Sequence, residues 1–112
     1  MNIEAKKLNG GVVLKISGRM DAANASVFQK TCEEWIAGGA PHLVLDLSEL
    51  QYVSSMGLGC FLAVSKALQA KGGSLLLCQL KGLPKQVFEL THLIELFRLY
   101  DSTDAALASL LS

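Results

Sequence analysis

Apolar positions along the chain change period several times, and each change marks an element. Ile3 to Leu8 and Val12 to Ser17 are short runs of β-formers, and in the second Val12, Leu14 and Ile16 alternate with Val13, Lys15 and Ser17. That two-residue period predicts a strand with one buried face. Asn9-Gly10-Gly11 lies between the runs, and Asn-Gly accepts positive φ at little cost, so the pair predicts a β-hairpin. Gly18-Arg19-Met20-Asp21 breaks the second strand. From there Ala25, Phe28, Cys32, Trp35 and Ile36 recur at helical spacing with Gln29, Lys30, Glu33 and Glu34 opposite, which predicts an amphipathic first helix. Gly38-Gly39 supplies its stop, and Pro41 cannot continue it.

His42 to Leu47 is an almost continuous apolar run, the pattern of a central strand covered on both faces. Beyond Ser48 to Val53, Ser54-Ser55 precedes Leu58, Phe61, Leu62, Ser65 and Leu68 at helical intervals, with Lys66, Gln69 and Lys71 turned away. A second helix is expected from about Ser55 to Gly72-Gly73. Ser74 to Cys78 reads as another buried strand, and Pro84 as a first-turn residue of a third helix with Val87, Phe88 and Thr91 on one side. Phe97 to Tyr100 is the expected last strand. Asp101-Ser102-Thr103-Asp104 then caps a helix using Leu107, Leu110 and Leu111. The order β-β-α-β-α-β-α-β-α is that of an α/β fold: a mixed, mainly parallel sheet with right-handed crossovers, an antiparallel N-terminal hairpin and about four helices.

Composition narrows the class. The chain has 112 residues, 51% of them apolar and 6% aromatic, which suits one aliphatic core and a single domain over residues 1–112. Ten basic residues balance ten acidic ones, so no global charge draws the protein to nucleic acid or an anionic membrane, and a specific protein partner is expected instead. Cys32, Cys60 and Cys78 show no C-x-x-C spacing; reduced thiols and a cytoplasmic location fit best. Met1 to Lys7 lacks the plan of a signal peptide, and the apolar runs fall well short of the roughly 20 residues that span a bilayer, so no membrane insertion is expected.

Enzymatic chemistry finds little support. Catalysis by a nucleophile needs a base and a group to orient it, yet the two histidines, His42 and His92, lie in no recognisable motif. Gly57-Leu58-Gly59 is followed by Leu62 where a dinucleotide fingerprint needs its third glycine, and no phosphate-loop sequence is present. Asp46 stands at the end of a central strand, where a phosphorylated receiver would carry its acceptor. Such a site also needs an acidic pair and a lysine; Asp21 offers one carboxylate and the last strand no lysine. Asp46 is therefore read as a structural carboxylate bonded to the Ser48 to Ser55 loop. The protein is expected to be no enzyme, with no catalytic residues, metal or cofactor.

Ser54 and Ser55 stand at the head of the second helix, where a serine oxygen can accept from unpaired first-turn N–H groups. Taken alone they are caps. The stretch Asp46-Leu47-Ser48-Glu49-Leu50-Gln51-Tyr52-Val53-Ser54-Ser55-Met56-Gly57-Leu58-Gly59, however, resembles the signature of STAS domains, specifically stand-alone anti-sigma factor antagonists of bacterial partner-switching systems. Gly18-Arg19-Met20-Asp21 is similar to the family's Gly-x-apolar-Asp element, and the resemblance covers essentially the whole chain. It implies that the unphosphorylated protein binds an anti-sigma factor that is also a serine kinase, freeing sigma. It further implies that phosphorylation ends the complex and that a PP2C-type phosphatase resets it.

Carried over by position, the motif puts the phosphate acceptor at Ser55 and the partner surface at Asp21, Ser54, Ser55, Met56, Gly57, Leu58 and Gly59. Ser54 occupies a place where many antagonists have Asp, and Met56 one where many have Ser or Thr. The alternative of a non-switching STAS subunit, serving an ABC-type lipid transporter or a stress-signalling scaffold, therefore stays open. Gly57 and Gly59 keep the first turn small, either for access to the serine or for packing on the sheet. Leu58, Cys60, Phe61, Leu62 and Val64 exceed one narrow stripe, so some are expected on the partner surface. Asp21 is read as a helix cap, a partner contact, or both.

Overall fold

The computed structural model describes residues 1–8 and 10–111. Strands β1 (Asn2–Leu8) and β2 (Gly11–Met20) pair antiparallel, with Ala5 opposite Leu14. The expected hairpin is present; Asn9 of its turn lies outside the described residues, and Gly10 has φ +89°. Helix α1 (Ala22–Ala37) leads to β3 (His42–Asp46) and β4 (Leu50–Val53), then to α2 (Ser55–Ala70) and β5 (Ser74–Cys78). Helix α3 (Gly82–Leu90), a 3₁₀ turn (Leu93–Leu96), β6 (Arg98–Tyr100) and α4 (Thr103–Ser109) complete the order.

The sheet runs β1-β2-β3-β5-β6, and every pair after the hairpin is parallel. Strand β4, absent from the pattern-based order, pairs parallel with the end of β2, Met20 opposite Val53. Gly18 makes this possible. Its φ of +95° and the register shift between Gly18 and Arg19 form a bulge that releases β2 from β3 and turns it toward β4. The Gly18 N–H then donates to the Glu49 carbonyl at 3.0 Å.

Even positions of β2 (Val12, Leu14, Ile16) join Leu43 and Leu45 of β3 and Leu75 and Leu77 of β5 beneath α1, α2 and α3. Phe61 of α2 lies at the centre of this layer, with ring centroids 4.9 Å from Phe28 and 5.4 Å from Phe88. On the opposite face Val13 of β2 joins Val44 of β3 and Leu76 and Cys78 of β5 in a smaller core that packs on Ala106 of α4. Val13 is therefore buried although alternation alone gave it a solvent-facing place.

One expectation about helix faces is narrowed and another is corrected. Helix α2 buries Leu58, Cys60, Phe61 and Val64 together, because α1 packs alongside it as well as the sheet below; of the five apolar residues only Leu62 remains half-exposed. In the last helix Leu107 and Leu110 pack on the small core, but α4 stops at Ser109 and Leu111 is 79% exposed.

Candidate functional site

The C-terminal ends of β2 and β4 bring the starts of α1 and α2 side by side. Met20 and Val53 are register partners, and the Ser54 N–H donates to the Met20 carbonyl at 2.9 Å. Asp21 follows Met20 and caps α1: its Oδ1 accepts from the Asn24 N–H at 2.9 Å. Asn24 also donates from Nδ2 to the Arg19 carbonyl at 2.8 Å, fastening the strand exit to the first helical turn.

Helix α2 is capped by Ser54. Its backbone is extended (φ −85°, ψ 170°), and Oγ accepts from the Gly57 N–H at 3.1 Å. Ser55 is the first helical residue, is exposed, and engages no described residue through its hydroxyl. Met56 beside it is 59% exposed. A nucleophilic hydroxyl and an apolar thioether thus stand in solvent at a helix N-terminus, where the backbone dipole favours an added anion.

The two glycines separate. A Cβ on Gly57 would come within 2.8 Å of Val53 Cγ2 and 3.0 Å of Met20 Sδ, whereas one on Gly59 would meet nothing within 4 Å. Gly57 is there for packing, and Gly59 leaves an open patch on the surface. Leu58 is 5% exposed and faces the core. Of the seven residues drawn from the sequence, Asp21, Ser55, Met56 and Gly59 are exposed, Ser54 is partly so, and Gly57 and Leu58 support them from beneath.

One feature escaped the sequence reading. Arg19 Cζ lies 4.4 Å from the Tyr52 ring centroid, a cation–π contact next to the site. The two residues are cross-strand partners, so only the β2–β4 pairing could have revealed it.

Other groups stand apart from this end. Asp46 accepts from the Ser48 N–H at 3.0 Å and so holds the loop after β3, as its position suggested. His42 Nδ1 and Ser74 Oγ are 2.8 Å apart, and His92 is exposed with φ +60° after α3. The three cysteines are free and buried. Burial, with smaller contributions from Cys60 and Glu33, pushes the Cys32 thiol up to about 12. Burial also raises Cys78 to about 11, opposed in part by a hydrogen bond with Thr103. Among the described residues no cluster of His, Cys, Asp and Glu could hold a metal ion, and no helix is long and apolar enough to cross a membrane.

Known proteins share this plan. BtrV of Bordetella bronchiseptica, whose name assigns it as an anti-sigma factor antagonist, is 33% identical over 109 residues, covering 97% of this chain and 94% of its own. The anti-sigma F factor antagonist of Paenibacillus polymyxa is 27% identical over 111 residues, 98% of this chain and 95% of its own. The crystal structure of an anti-sigma factor antagonist from Mycobacterium paratuberculosis superposes with a TM-score of 0.89 at 25% identity, over 99% of this chain and 94% of that one. Residues 2–106 match the STAS domain itself, and with the strand order and helix pairing described above the chain belongs to the STAS family.

Proposed function

We propose that this protein is a cytoplasmic anti-sigma factor antagonist that switches partners through Ser55. Unphosphorylated, it binds an anti-sigma factor that is also a serine kinase, and sigma is released. The kinase then transfers the γ-phosphoryl group of ATP to Ser55 Oγ, the hydroxyl proton leaves to a base of the kinase, and ADP departs. A PP2C-type phosphatase hydrolyses the phosphoserine and restores the binding form.

The observation that carries this reading is the division of roles between adjacent serines. Ser54 is occupied with capping α2, and Ser55 is left exposed at the same helix start. Relatives named as anti-sigma factor antagonists and matching almost the whole chain support it. A phosphate on Ser55 gains about 0.3–2 kcal/mol from the helix N-terminus, so the fold tolerates it. The same dianion pressed into an interface beside Met56 and Gly59 must shed water without a counter-ion, which weakens the complex about a hundredfold or more. Asp21, at the adjoining helix start, gives the partner a second polar contact.

The test is affinity purification of wild-type, Ser55→Ala and Ser55→Asp proteins from the native host, with phosphosite mapping by mass spectrometry. Ser55→Ala is expected to keep the anti-sigma partner and carry no phosphate, and Ser55→Asp to lose the partner. A Ser55→Ala protein that is still fully phosphorylated would sink the acceptor assignment. Equal binding by both variants, with transporter subunits in the eluate, would favour the non-switching alternative.

A further inference from the structure

Strand β1 lies at one edge of the sheet, with β6 at the other. Strand β2 pairs with β1 from Asn2 to Leu8, and among the described residues no strand pairs with the other side of β1. The outward N–H and C=O groups must be satisfied by water or by a strand from elsewhere. Glu4, Ala5, Lys6 and Lys7 in its middle are all exposed, so the edge is accessible.

The charges on this edge select a partner. When two copies of β1 pair antiparallel across a two-fold axis perpendicular to the sheet, each keeps its own faces, so residues opposite one another must share a face. Three central registers satisfy that condition. Centring on Glu4 sets the two Glu4 side chains against each other, and centring on Lys6 does the same with two lysines. Centring on Ala5 instead sets Glu4 opposite Lys6 twice, Ala5 against Ala5 at the axis, and Ile3 along the aliphatic stem of Lys7 twice. Opposite charges across a strand pair attract and like charges repel, so the Ala5 register is the one the sequence favours.

Neighbouring groups reinforce the choice. Lys15 of β2 is the register partner of Glu4 within one copy, so Glu4 would lie between Lys15 of its own chain and Lys6 of the other, alternating in sign. Lysines on an edge strand ordinarily prevent pairing; in this register each Lys6 is answered by a Glu4. The zero formal net charge adds no general repulsion between copies.

We propose that the free edge of β1 is a homodimer interface, two copies pairing antiparallel about Ala5 through reciprocal Glu4–Lys6 contacts. Asn2 sits opposite Ser17, near the end of β2 that leads to Asp21 and Ser54. The two-fold axis therefore sends the two Ser55 sites to opposite ends of the joined sheet and covers neither.

Sedimentation velocity of the wild-type protein from micromolar to millimolar concentration should show a reversible monomer–dimer equilibrium that weakens with salt. Glu4→Lys and Lys6→Glu each replace attraction with repulsion and should raise the dissociation constant about tenfold or more. An equimolar mixture of the two variants should dimerise again, because every lysine then faces a glutamate across the axis. Lys6→Glu leaves the Glu4–Lys15 pair intact and tests the edge by itself, with circular dichroism verifying the fold. A wild-type protein that is monomeric throughout, a dimer that both variants retain, or a mixture no tighter than its components would each overturn the proposal.

Discussion

At Ser54 the extended backbone swings Oγ back over the first turn of α2 to the Gly57 N–H, while one position later the backbone is already helical and Ser55 points to solvent. Replacing Ser54 with Ala should therefore cost about 1 kcal/mol of stability. Ser55→Ala should change it by less than about 0.5 kcal/mol. Urea denaturation of both variants checks the difference. The glycines give a second contrast. Gly57→Ala must push a Cβ into the branched Val53 side chain, costing about 1–3 kcal/mol against a helix-propensity gain of about 1 kcal/mol, so a net loss is expected. Gly59→Ala meets open space and should stabilise by about 0.5–1 kcal/mol; equal urea midpoints for the two glycine variants would contradict the packing described here. The serine pair and the helix start were legible in the sequence. Which serine caps and which glycine packs were not, since each depends on where one Cβ or one Oγ points.

Helix α2 was recognisable from its spacing, yet its buried face is broader than one stripe because two elements cover it, the sheet and α1. Its Phe61 ring meets Phe28, Phe88 and Phe97, the last at 6.4 Å. These come from α1, α3 and the end of the 3₁₀ turn. Truncating Phe61 to Ala should accordingly destabilise the protein by about 3–5 kcal/mol, one of the largest single losses available in this core. Phe97→Ala, at a half-buried position, should cost less; thermal melts of the two variants decide. Strand β4 was missed for a different reason. Leu50 to Val53 is four residues long, too short for alternation to stand out from a loop, and it becomes a strand only because the Gly18 bulge delivers β2 to it. That missed strand carries Tyr52, so the Arg19 contact beside the site was missed with it.

Across the whole molecule, the sheet separates a large core under α1, α2 and α3 from a small one under α4, and the thiols report on both: Cys32 belongs to the first and Cys78 to the second. Burial raises their pKa values to about 12 and about 11 from an ordinary 9.0. The folded state thus holds protons that the unfolded chain releases, and the resulting stability is fully present below pH 9.0 and lost as pH rises toward those higher values. The urea midpoint should fall with pH in that window, and Cys32→Ala should flatten the fall by removing its share. The sequence by itself determined the α/β class, the hairpin, all four helices, most strands and the segment from Tyr52 to Gly59, because hydrophobic period and capping chemistry are local and survive in one dimension. Tertiary structure decided the rest: the pairing of β4, the double cover on α2, the burial of Val13, and the release of Ser55 from capping. Each of these depends on which distant element arrives at a surface, and a linear pattern does not carry that information.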